Sequence, residues 1–468
     1  MPLPVDANLT DSDQVLADAG AASGVGKPSF TADQITYQLT TSWGGSNSID
    51  YWARPSISYA LLDTAPTNGR STGYTDPGAA GVQALTANEK SFASLAFQTW
   101  SELVPLTMTD ITGRAGANAA DITFNYSATT NGDGTYDTWR SNATAPVPST
   151  YHGTSYGSGT GPSGANAFTW SQVWIDGNPT WSTNQSSAIG YESYGLTTYI
   201  HEIGHALGLS HPGLYNAGSG GTINYSSSAV FAQDNRENTV MSYFGGYDPS
   251  TNSWAQDGTF ANWYYPSTPM VYDVAAIQAL YGTNTTTRSG DTTYGFNTTI
   301  TGADRNVYDF ALNTHPIYTI WDGGGTNTLD GSLSSANQTF DLRPGNYSSL
   351  DGMNGNIGIA YGTYVNVAIG GSGNDTFFVN GQNDTIDGRA GTNTVVFTGA
   401  RSNYSVVQDA SGHIVVSDHR SGGDATVTTS NIQAYQFTDQ TYTANQLLIT
   451  PKTVEAFGVT RLDQVGSG

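Results

Sequence analysis

The sequence predicts an α+β first half followed by an all-β second half. Apolar residues recur at helical spacing near residues 86–105, 194–211 and 267–282, and strand-like runs lie between these segments. After Gly282 the helical periodicity ends, and short β-like runs alternate with turns rich in Gly, Asn and Asp. With 468 residues the chain is long enough for two or three domains that each have a core.

The composition excludes several classes of partner and chemistry. A formal net charge of −23 repels phosphates, which argues against nucleic acid and anionic membranes as partners. No apolar run approaches the roughly 18 residues that a membrane-spanning helix needs. The chain has no cysteine, which excludes a thiol nucleophile, a cysteine zinc site and disulfides. In a secreted protein, bound Ca²⁺ is then the expected staple.

The N-terminal elements begin after a polar leader. Residues 1–30 are weakly patterned and predict a flexible leader or removable prosegment, with a disordered tail of no function as the alternative. From Gln34 onward the runs ITYQLTTSW, SIDYW and SISYALL alternate as strands do. Thr86 and Glu89 then form a capping box that starts a helix, whose apolar stripe continues to Leu103.

The next elements alternate between strands and helices. Strands are predicted at ITFNYS (122–127), GANAFTW (164–170) and QVWID (172–176). A helix is predicted from near Tyr194, and another over residues 267–282 with a glycine at its C-terminal end.

The stretch HEIGHALGLSHPG carries the spacing of a metal site. On a helix His201 and His205 lie one turn apart, so both rings reach one ion. Gly208 permits a positive φ that ends the helix and turns His211 toward the same ion. Three imidazoles without a thiol suit Zn²⁺ and leave one coordination position for water. The motif therefore predicts one catalytic zinc ion.

Glu202 adjoins His201 on the helix and is the expected general base and then general acid. It would take a proton from the zinc-polarised water and pass it to a leaving amine. The alternative is a helix that carries two histidines as ordinary core or surface residues. The added glycine and third histidine make that coincidence much rarer than for H-E-x-x-H alone.

The long motif H-E-x-x-H-x-x-G-x-x-H, followed by TVMSY at 239–243, resembles the serralysin branch of the metzincins, the secreted alkaline metalloproteases of bacteria. The resemblance implies a metzincin-like zincin catalytic domain and a Met-turn at Met241 beneath the zinc. It also implies that Tyr243 ligates the resting zinc and then hydrogen-bonds the oxyanion. A strand that borders the cleft and pairs with substrate is implied as well. That strand is predicted at Ala165, Asn166, Ala167 and Phe168, with an ordinary sheet strand as the alternative.

Short glycine-rich repeats predict a parallel β-roll that binds calcium. Residues 368–378 (AIGGSGNDTFF) contain the nonapeptide G-G-x-G-x-D-x-apolar-x. In such turns glycine carbonyls and an Asp carboxylate surround Ca²⁺. The second copy keeps Asp384, whereas the third has Asn393 where Asp is expected, so calcium should be bound at fewer or weaker sites. A glycine-rich array that binds nothing is the alternative. The expected ligands in this region are Gly370, Gly371, Gly373, Asp375 and Asp384.

A further calcium site is implied by resemblance to serralysin segments around one ion. The segments are TTRSGDT (286–292) and WDGGGTNTLD (321–330). Asn327 stands where the family usually has Asp, and Pro344 stands near where it usually has an acidic ligand, so at least one family site is expected to be missing. The implied ligands are Arg288, Gly290, Thr292, Asp322 and Gly324.

The resemblance is expected to extend from about residue 35 to about residue 395. From 395 to 448 the strand-like runs resemble a β-sandwich-like module more than a standard serralysin C-terminus. The first residues lack the basic and apolar regions of a Sec signal peptide. The serralysin resemblance implies secretion to the extracellular space by a type I route, although the final residues lack the family's acidic-then-apolar ending.

These expectations combine into a function and a domain plan. The predicted function is a secreted, monomeric zinc endopeptidase that acts on protein or peptide substrates, is stabilised by several Ca²⁺ ions and can meet a proteinaceous inhibitor. Two alternatives stay open: an inactive surface or binding protein that acts through its β-roll, and an enzyme kept latent by its leader. The plan comprises a leader (1–30), a zinc protease domain (31–265), a connecting helix (266–285), a calcium-binding β-roll and β domain (286–450) and a tail (451–468).

Overall fold

The fold is known from a computed structural model. It describes residues 26–41, 49–67, 82–127, 153–160, 166–176, 189–215, 223–256 and 263–448. The predicted leader up to residue 25, Ala165 and the tail from residue 449 lie outside the described residues.

Helices are concentrated in the first half of the described chain, as predicted. Their bounds are α1 (Ala32–Thr41), α2 (Ala87–Ser101), α3 (Tyr194–Ala206), α4 (Tyr225–Ser228), α5 (Val271–Tyr281), α6 (Arg305–Tyr308) and α7 (Ala444–Leu448). None of these helices is long and apolar enough to cross a bilayer.

The first half is built on one twisted sheet with helices packed against it. Its strands are β1 (Asp50–Tyr51), β2 (Ser56–Leu62), β3 (Val82–Gln83), β4 (Thr107–Asp110), β5 (Ile122–Ser127), β6 (Gly153–Thr160) and β7 (Asn166–Asp176). They are ordered β1-β7-β5-β2-β4, with β6 beside β7 and β3 beside β5. A two-stranded sheet of β8 (Gly246–Asp248) and β9 (Ser253–Ala255) follows.

Helices α2 and α3 share the core beneath this sheet. The capping box of α2 is present as predicted: Glu89 N donates to Thr86 Oγ1, and Thr86 N donates to a Glu89 carboxylate oxygen. Further along α2, Trp100 Nε1 donates to Ile200 O in α3 at 2.9 Å. Phe124 of the sheet is fully buried in the same core. The packing fixes the position of α3, the helix that carries the motif histidines.

The strand predicted from Gln34 is wrong, because residues Ala32–Thr41 form α1. Thr31 N donates to Gln34 Oε1 and Gln34 N donates to Thr31 Oγ1, a reciprocal pair that starts a helix. Ile35 and Leu39, four residues apart, are both fully buried. The helical spacing of these two apolar residues outweighs the β-branched alternation on which the strand was predicted.

The two strands predicted at 164–170 and 172–176 form one strand, β7. Ser171, which lies between the two predicted runs, is fully buried in the strand and pairs with Ile122 of β5. The helix predicted over 267–282 is present as the shorter α5, followed by Gly282 at φ 81°.

The second half forms a roll of two facing sheets, and its first part also contributes a three-stranded sheet. Its strands are β10 (Thr293–Gly295), β11 (Tyr318–Ile320), β12 (Thr328–Asp330), β13 (Thr339–Asp341), β14 (Tyr347–Ser348), β15 (Ile357–Ile359), β16 (Val367–Ile369), β17 (Thr376–Phe378), β18 (Asp384–Asp387), β19 (Thr394–Val396), β20 (Tyr404–Gln408), β21 (Ile414–Asp418), β22 (Thr426–Ser430), β23 (Ala434–Gln436) and β24 (Thr441–Thr443). One sheet of the roll has the order β10-β12-β16-β18-β22-β21-β20, and the other has the order β13-β17-β19-β23-β24. The three-stranded sheet has the order β11-β15-β14.

From β16 to β19 the chain alternates between the two sheets strand by strand. The pairs β12–β16, β16–β18, β13–β17 and β17–β19 are parallel. The middle residue of each short strand is buried between the sheets. This set comprises Leu329, Ala368 and Ile386 from one sheet and Phe340, Phe377 and Val395 from the other. The predicted β-roll is thereby confirmed.

The C-terminal strands continue the roll. Strand β22 pairs in parallel with β18 and β23 pairs in parallel with β19, whereas β20, β21 and β24 pair antiparallel. Tyr435 OH and Thr429 Oγ1 are hydrogen-bonded across the two sheets at 2.8 Å. The sandwich-like part predicted after residue 395 therefore shares both of its sheets with the roll.

Candidate metal centre

Helix α3 and the turn that follows it carry the three motif histidines. Ser193 caps the helix by accepting a hydrogen bond from Leu196 N. Gly208 has φ 109°, and a Cβ there would lie 2.1 Å from Asp50 O of β1. A glycine is required for both the turn and this close approach. Ser210 N then donates to Leu39 O at 2.6 Å, which ties the next segment to α1.

The structure brings the three predicted zinc ligands together. The Nε2 atom of His205 lies 3.0 Å from Nε2 of His201 and 3.0 Å from Nε2 of His211. The Nε2 atoms of His201 and His211 are 3.3 Å apart. All three side chains are buried. Among the described residues, no other group of three or more His, Asp or Glu side chains has metal-binding geometry.

Each histidine is oriented by a backbone carbonyl behind it. The Nδ1 atoms of His201, His205 and His211 lie 2.8, 2.7 and 3.0 Å from the O atoms of Val240, Leu209 and Tyr215, respectively. Because a carbonyl only accepts, each Nδ1 carries the proton and each Nε2 presents a lone pair.

Three lone pairs at such short separations repel one another unless a cation lies between them. Tetrahedral zinc with Zn–N distances of about 2.0–2.1 Å places its nitrogen ligands roughly 3.3 Å apart, close to the observed triangle. Burial lowers the pKa of His201 to about 4, and the nearby Arg236 charge acts in the same direction. The ring is therefore neutral, as a metal ligand must be. The residues fit Zn²⁺.

The Met-turn forms the floor of the centre. Met241 is fully buried, and a Cβ on Gly204 would lie 2.7 Å from Met241 Sδ and 3.0 Å from Trp100 Cζ2. Only a glycine in the middle of α3 permits this approach. Sequence reasoning identified Met241 but missed Gly204. The sequence does indicate Gly204, because a glycine in the interior of a helix usually marks a close packing contact.

Glu202 is adjacent to His201 in the chain, and the ring of Tyr243 lies beside two of the histidine rings. Glu202 follows His201 in α3 and is only 4% exposed. The ring of Tyr243 is half-buried, with its centroid 4.4 Å from that of His211 and 5.9 Å from that of His201. The Tyr243 ring therefore lies against two of the three imidazoles.

Asp273 of α5 is a supporting residue that sequence reasoning missed. Its carboxylate accepts hydrogen bonds from Thr239 Oγ1 at 2.5 Å, Val240 N at 2.7 Å and Met270 N at 2.8 Å. The backbone of Val240 is therefore held on both sides, its N–H by Asp273 and its carbonyl by His201. No local motif indicates this contact, because Asp273 is 33 residues from Val240 in the chain.

The predicted substrate strand is not at a sheet edge in the described structure. Asn166 and Ala167 pair on one side with β1 and on the other with β6. Phe168 pairs with Ser158 of β6 and is 4% exposed. For residues 166–168 the prediction of a free strand edge is therefore wrong, because β6 pairs with them. Ala165 lies outside the described residues. Among the described residues β6 pairs with β7 alone, so β6 is the edge strand on this side.

The calcium ligands implied in the first roll segments do lie together. Gly323 N donates to Thr287 O, and Asp322 accepts hydrogen bonds from Gly324 N at 3.0 Å and Tyr294 OH at 2.9 Å. The side chain of Arg288 instead pairs with Glu102 at 2.7 Å. Gly290 O accepts a hydrogen bond from Thr292 Oγ1 at 3.2 Å.

The nonapeptide ligands form one compact turn. Asp375 accepts hydrogen bonds from Gly371 N at 2.8 Å and Gln338 N at 2.9 Å. A Cβ on Gly370 would lie 2.5 Å from Asp375 Oδ2, and one on Gly373 would lie 2.1 Å from Ala336 O.

Asp384 begins β18 in the other sheet. Its Oδ2 accepts a hydrogen bond from Asn380 N at 2.9 Å, and its buried Oδ1 has no hydrogen-bond partner. Burial raises the pKa of this carboxyl to about 8. The unsatisfied oxygen is what a bound cation would complete.

Both halves of the chain match known families. Residues 81–218 match the family profile described as matrixin, and residues 283–459 match the profile described as peptidase M10 serralysin C terminal. The second match contradicts the expectation that the resemblance ends near residue 395. Its physical basis is the continuation of both roll sheets through β22 and β23.

Curated relatives cover most of the chain. It is 36% identical to Serralysin B of Dickeya chrysanthemi over 360 residues, which are 75% of this chain and 64% of that protein. It is 34% identical to Metalloprotease AprA of Pseudomonas entomophila (strain L48), covering 78% of this chain and 67% of the relative. It is also 34% identical to Metallopeptidase AprA of Pseudomonas marginalis, covering 79% and 70%. The chain thus spans about two thirds of the length of these relatives, and slightly less of Serralysin B. With the histidine triangle, the Met-turn and the roll in place, these matches confirm the predicted resemblance: the chain belongs to the serralysin family of the metzincins.

Proposed function

We propose that this chain is a zinc-dependent endopeptidase that hydrolyses peptide bonds in extracellular proteins. The observation that carries the proposal is the triangle of Nε2 atoms, 3.0–3.3 Å on a side, with the buried Glu202 next in the chain to one of its corners. The names of the relatives, serralysin and metalloprotease, support the same class. When bound, zinc supplies a Lewis acid that polarises water and the scissile carbonyl.

The residues of the chain have separate tasks in this proposal. The three histidines hold the metal, and their Nδ1 hydrogen bonds keep the rings in the neutral tautomer. Glu202 accepts a proton from the attacking water and returns it to the leaving amine. Tyr243, whose ring lies beside those of His201 and His211, donates its phenolic hydrogen to the substrate oxyanion.

The substrate is proposed to bind along β6. An extended peptide gains main-chain hydrogen bonds by adding to a strand edge, which holds it with little sequence preference. Strand β6 offers such an edge among the described residues, and it also packs against α3. Protein or peptide chains are the expected partners, together with a proteinaceous inhibitor that uses the same edge. The proposed active form is a monomer.

The remaining proposals concern the scaffold and its location. Residues 31–265 form the catalytic unit, 266–285 the connection and 286–450 the roll. Calcium is proposed at the carboxylates of Asp322, Asp375 and Asp384. The unpartnered Oδ1 of Asp384 is the observation that favours an ion. Secretion by a type I route is proposed from the family resemblance.

The decisive test is a pair of substitutions at the centre with a matched control. We expect Glu202→Gln to keep one zinc per chain while casein hydrolysis falls by about 10³-fold or more. We expect His201→Ala to lose both zinc and hydrolysis. Glu192→Gln makes the same chemical change just before α3 and outside the histidine cluster, so it should keep both. Unchanged hydrolysis in Glu202→Gln would refute the proposed base. A wild-type chain that binds zinc but hydrolyses no protein would favour a binding protein instead.

A further inference from the structure

One side of the roll contains a column of equivalent residues that continues from turn to turn. Gln338, Asp375, Asn393 and Gln433 each directly precede a strand of the sheet β13-β17-β19-β23, and the strands are paired in register. The first three side chains are buried, each 2% exposed or less. In an intact calcium-binding roll this is the position of the Asp carboxylate. Here a carboxylate occupies it once and amides occupy it elsewhere.

The column is joined by a repeated hydrogen bond. The backbone N–H of each residue donates to the side-chain oxygen of the next: Gln338 N to Asp375 Oδ1 at 2.9 Å, Asp375 N to Asn393 Oδ1 at 2.9 Å, and Asn393 N to Gln433 Oε1 at 2.6 Å. Because a backbone N–H only donates, these contacts identify Oδ1 of Asn393 as the oxygen and Nδ2 as the nitrogen.

The nitrogen of Asn393 lies where backbone carbonyl oxygens converge. Its Nδ2 donates to Gly388 O at 2.7 Å, Ala390 O at 3.0 Å and Asn431 O at 3.0 Å. A Cβ on Gly388 would lie 2.6 Å from this nitrogen, so the glycine opens the space that the amide fills. Carbonyl oxygens gathered in this way are the ligands that Ca²⁺ prefers. A cation could reach them only by displacing the amide.

The same arrangement recurs in the other sheet. Asn327 precedes β12 and is 2% exposed. Its Oδ1 accepts from Thr292 N at 3.1 Å, and its Nδ2 donates to Gly324 O at 3.3 Å and Tyr364 O at 3.1 Å. Gly324 is one of the calcium ligands that the family resemblance implies. Its carbonyl oxygen already has a donor from within the chain.

We propose that the side-chain amides of Asn393 and Asn327 take the place of calcium in these turns, so that the roll folds without bound calcium. The amide supplies N–H donors to the carbonyls that an ion would otherwise bridge, and it does so without a charge that needs compensation. An ion bound at Asp375, Asp384 or Asp322 then adds to a stack of turns that is already closed. The proposal does not depend on the peptidase activity.

The test exchanges the amide for a carboxylate in the full chain. In Asn393→Asp a carboxylate oxygen would face three carbonyl oxygens, which is repulsive without a cation but is an oxygen cage with one. Asn374→Asp is the matched control. Asn374 is exposed in the neighbouring turn, and its Oδ1 accepts a hydrogen bond from Thr392 N, which a carboxylate can also accept. Thermal unfolding is measured on zinc-loaded protein from which calcium has been removed, with and without millimolar calcium.

The wild-type chain and Asn374→Asp should each unfold cooperatively without calcium, and added calcium should raise their two Tm values by the same amount. Asn393→Asp should lose about 5 °C or more without calcium and recover most of that loss when calcium is added. If Asn393→Asp does not fold without calcium, Asn327→Asp gives the milder case, with two facing carbonyls. Two outcomes would overturn the proposal: loss of cooperative unfolding of the wild-type roll on calcium removal, or an Asn393→Asp variant as stable as wild type and indifferent to calcium.

Discussion

Asp273 is expected to control both the stability of the Met-turn and the affinity for zinc. Its carboxylate is fully buried and accepts hydrogen bonds from the backbone N–H groups of Val240 and Met270 and from the Thr239 hydroxyl. Replacing it with alanine removes the acceptor for all three donors. The backbone donors lie in a buried region, so each keeps its desolvation cost once the carboxylate is gone.

The magnitude follows from these contacts. A buried donor left unsatisfied costs about 1–3 kcal/mol, and the two N–H groups together with the lost packing give about 3–5 kcal/mol for Asp273→Ala. In Asp273→Asn the amide oxygen can accept both N–H bonds and the amide nitrogen can donate to the Thr239 hydroxyl. That variant should lose about 1 kcal/mol. Because Val240 O orients His201, Asp273→Ala should also weaken zinc binding about 10- to 100-fold.

Two measurements separate the structural effect from the effect on the metal. Denaturant unfolding of the zinc-loaded variants gives the change in stability, and competition with a chelator of known affinity gives the zinc dissociation constant. The order wild type, Asp273→Asn, Asp273→Ala should be the same in both. An Asp273→Asn variant as unstable as Asp273→Ala would refute the hydrogen-bond count. An unstable Asp273→Ala variant with wild-type zinc affinity would show that the Val240 backbone does not link the stability of the Met-turn to zinc binding.

Three further substitutions test separate parts of the structure. Gly204→Ala should destabilise the fold by about 1–2 kcal/mol in denaturant unfolding. The reason is that the clash of the new methyl group with Met241 Sδ costs more than the roughly 1 kcal/mol gain in helix propensity. A variant more stable than wild type would contradict this packing contact. Tyr243→Phe should lower kcat about 10²-fold with little change in KM, and an unchanged kcat would exclude the phenol from oxyanion stabilisation. Burial raises the pKa of Glu237 from 4.5 to about 8, so the folded state favours the neutral acid. The stability that the protonated Glu237 contributes is full below pH 4.5 and is lost as pH rises through about 8. The Tm of Glu237→Gln relative to wild type should therefore rise across that range. A constant difference in Tm would contradict the raised pKa of Glu237.

The parts of the centre that could be predicted from sequence are those held together by local geometry. His201 and His205 are one helical turn apart, and Gly208 turns the chain so that His211 joins them, so three ligands follow from eleven consecutive residues. The acceptors behind His205 and His211 are also local, each four residues away from its histidine. The acceptor behind His201 is 39 residues away, and nothing in the local pattern indicates it.

The errors in the fold arose where a short segment satisfied two patterns. The segment 32–41 has β-branched alternation and also Ile35 and Leu39 at helical spacing, and burial of those two residues decided for a helix. The substrate strand was predicted on β7 because the resemblance implies a strand there that borders the cleft. Edge position is a property of the whole sheet, and pairing with β6 could not be inferred from β7 alone.

The two halves of the molecule are connected at the start of α5, and this connection links the roll to the metal centre. Thr319 N of the roll donates to Thr268 Oγ1, and a Cβ on Gly358 in β15 would lie 2.8 Å from Val271 Cγ2 at the beginning of α5. Two residues further along this helix, Asp273 accepts a hydrogen bond from the N–H of Val240. The carbonyl of the same residue orients His201. The three-stranded sheet β11-β15-β14 therefore supports the helix that holds the Met-turn. Asn327, in the turn between β11 and β12, would help to keep this support whether or not calcium is present.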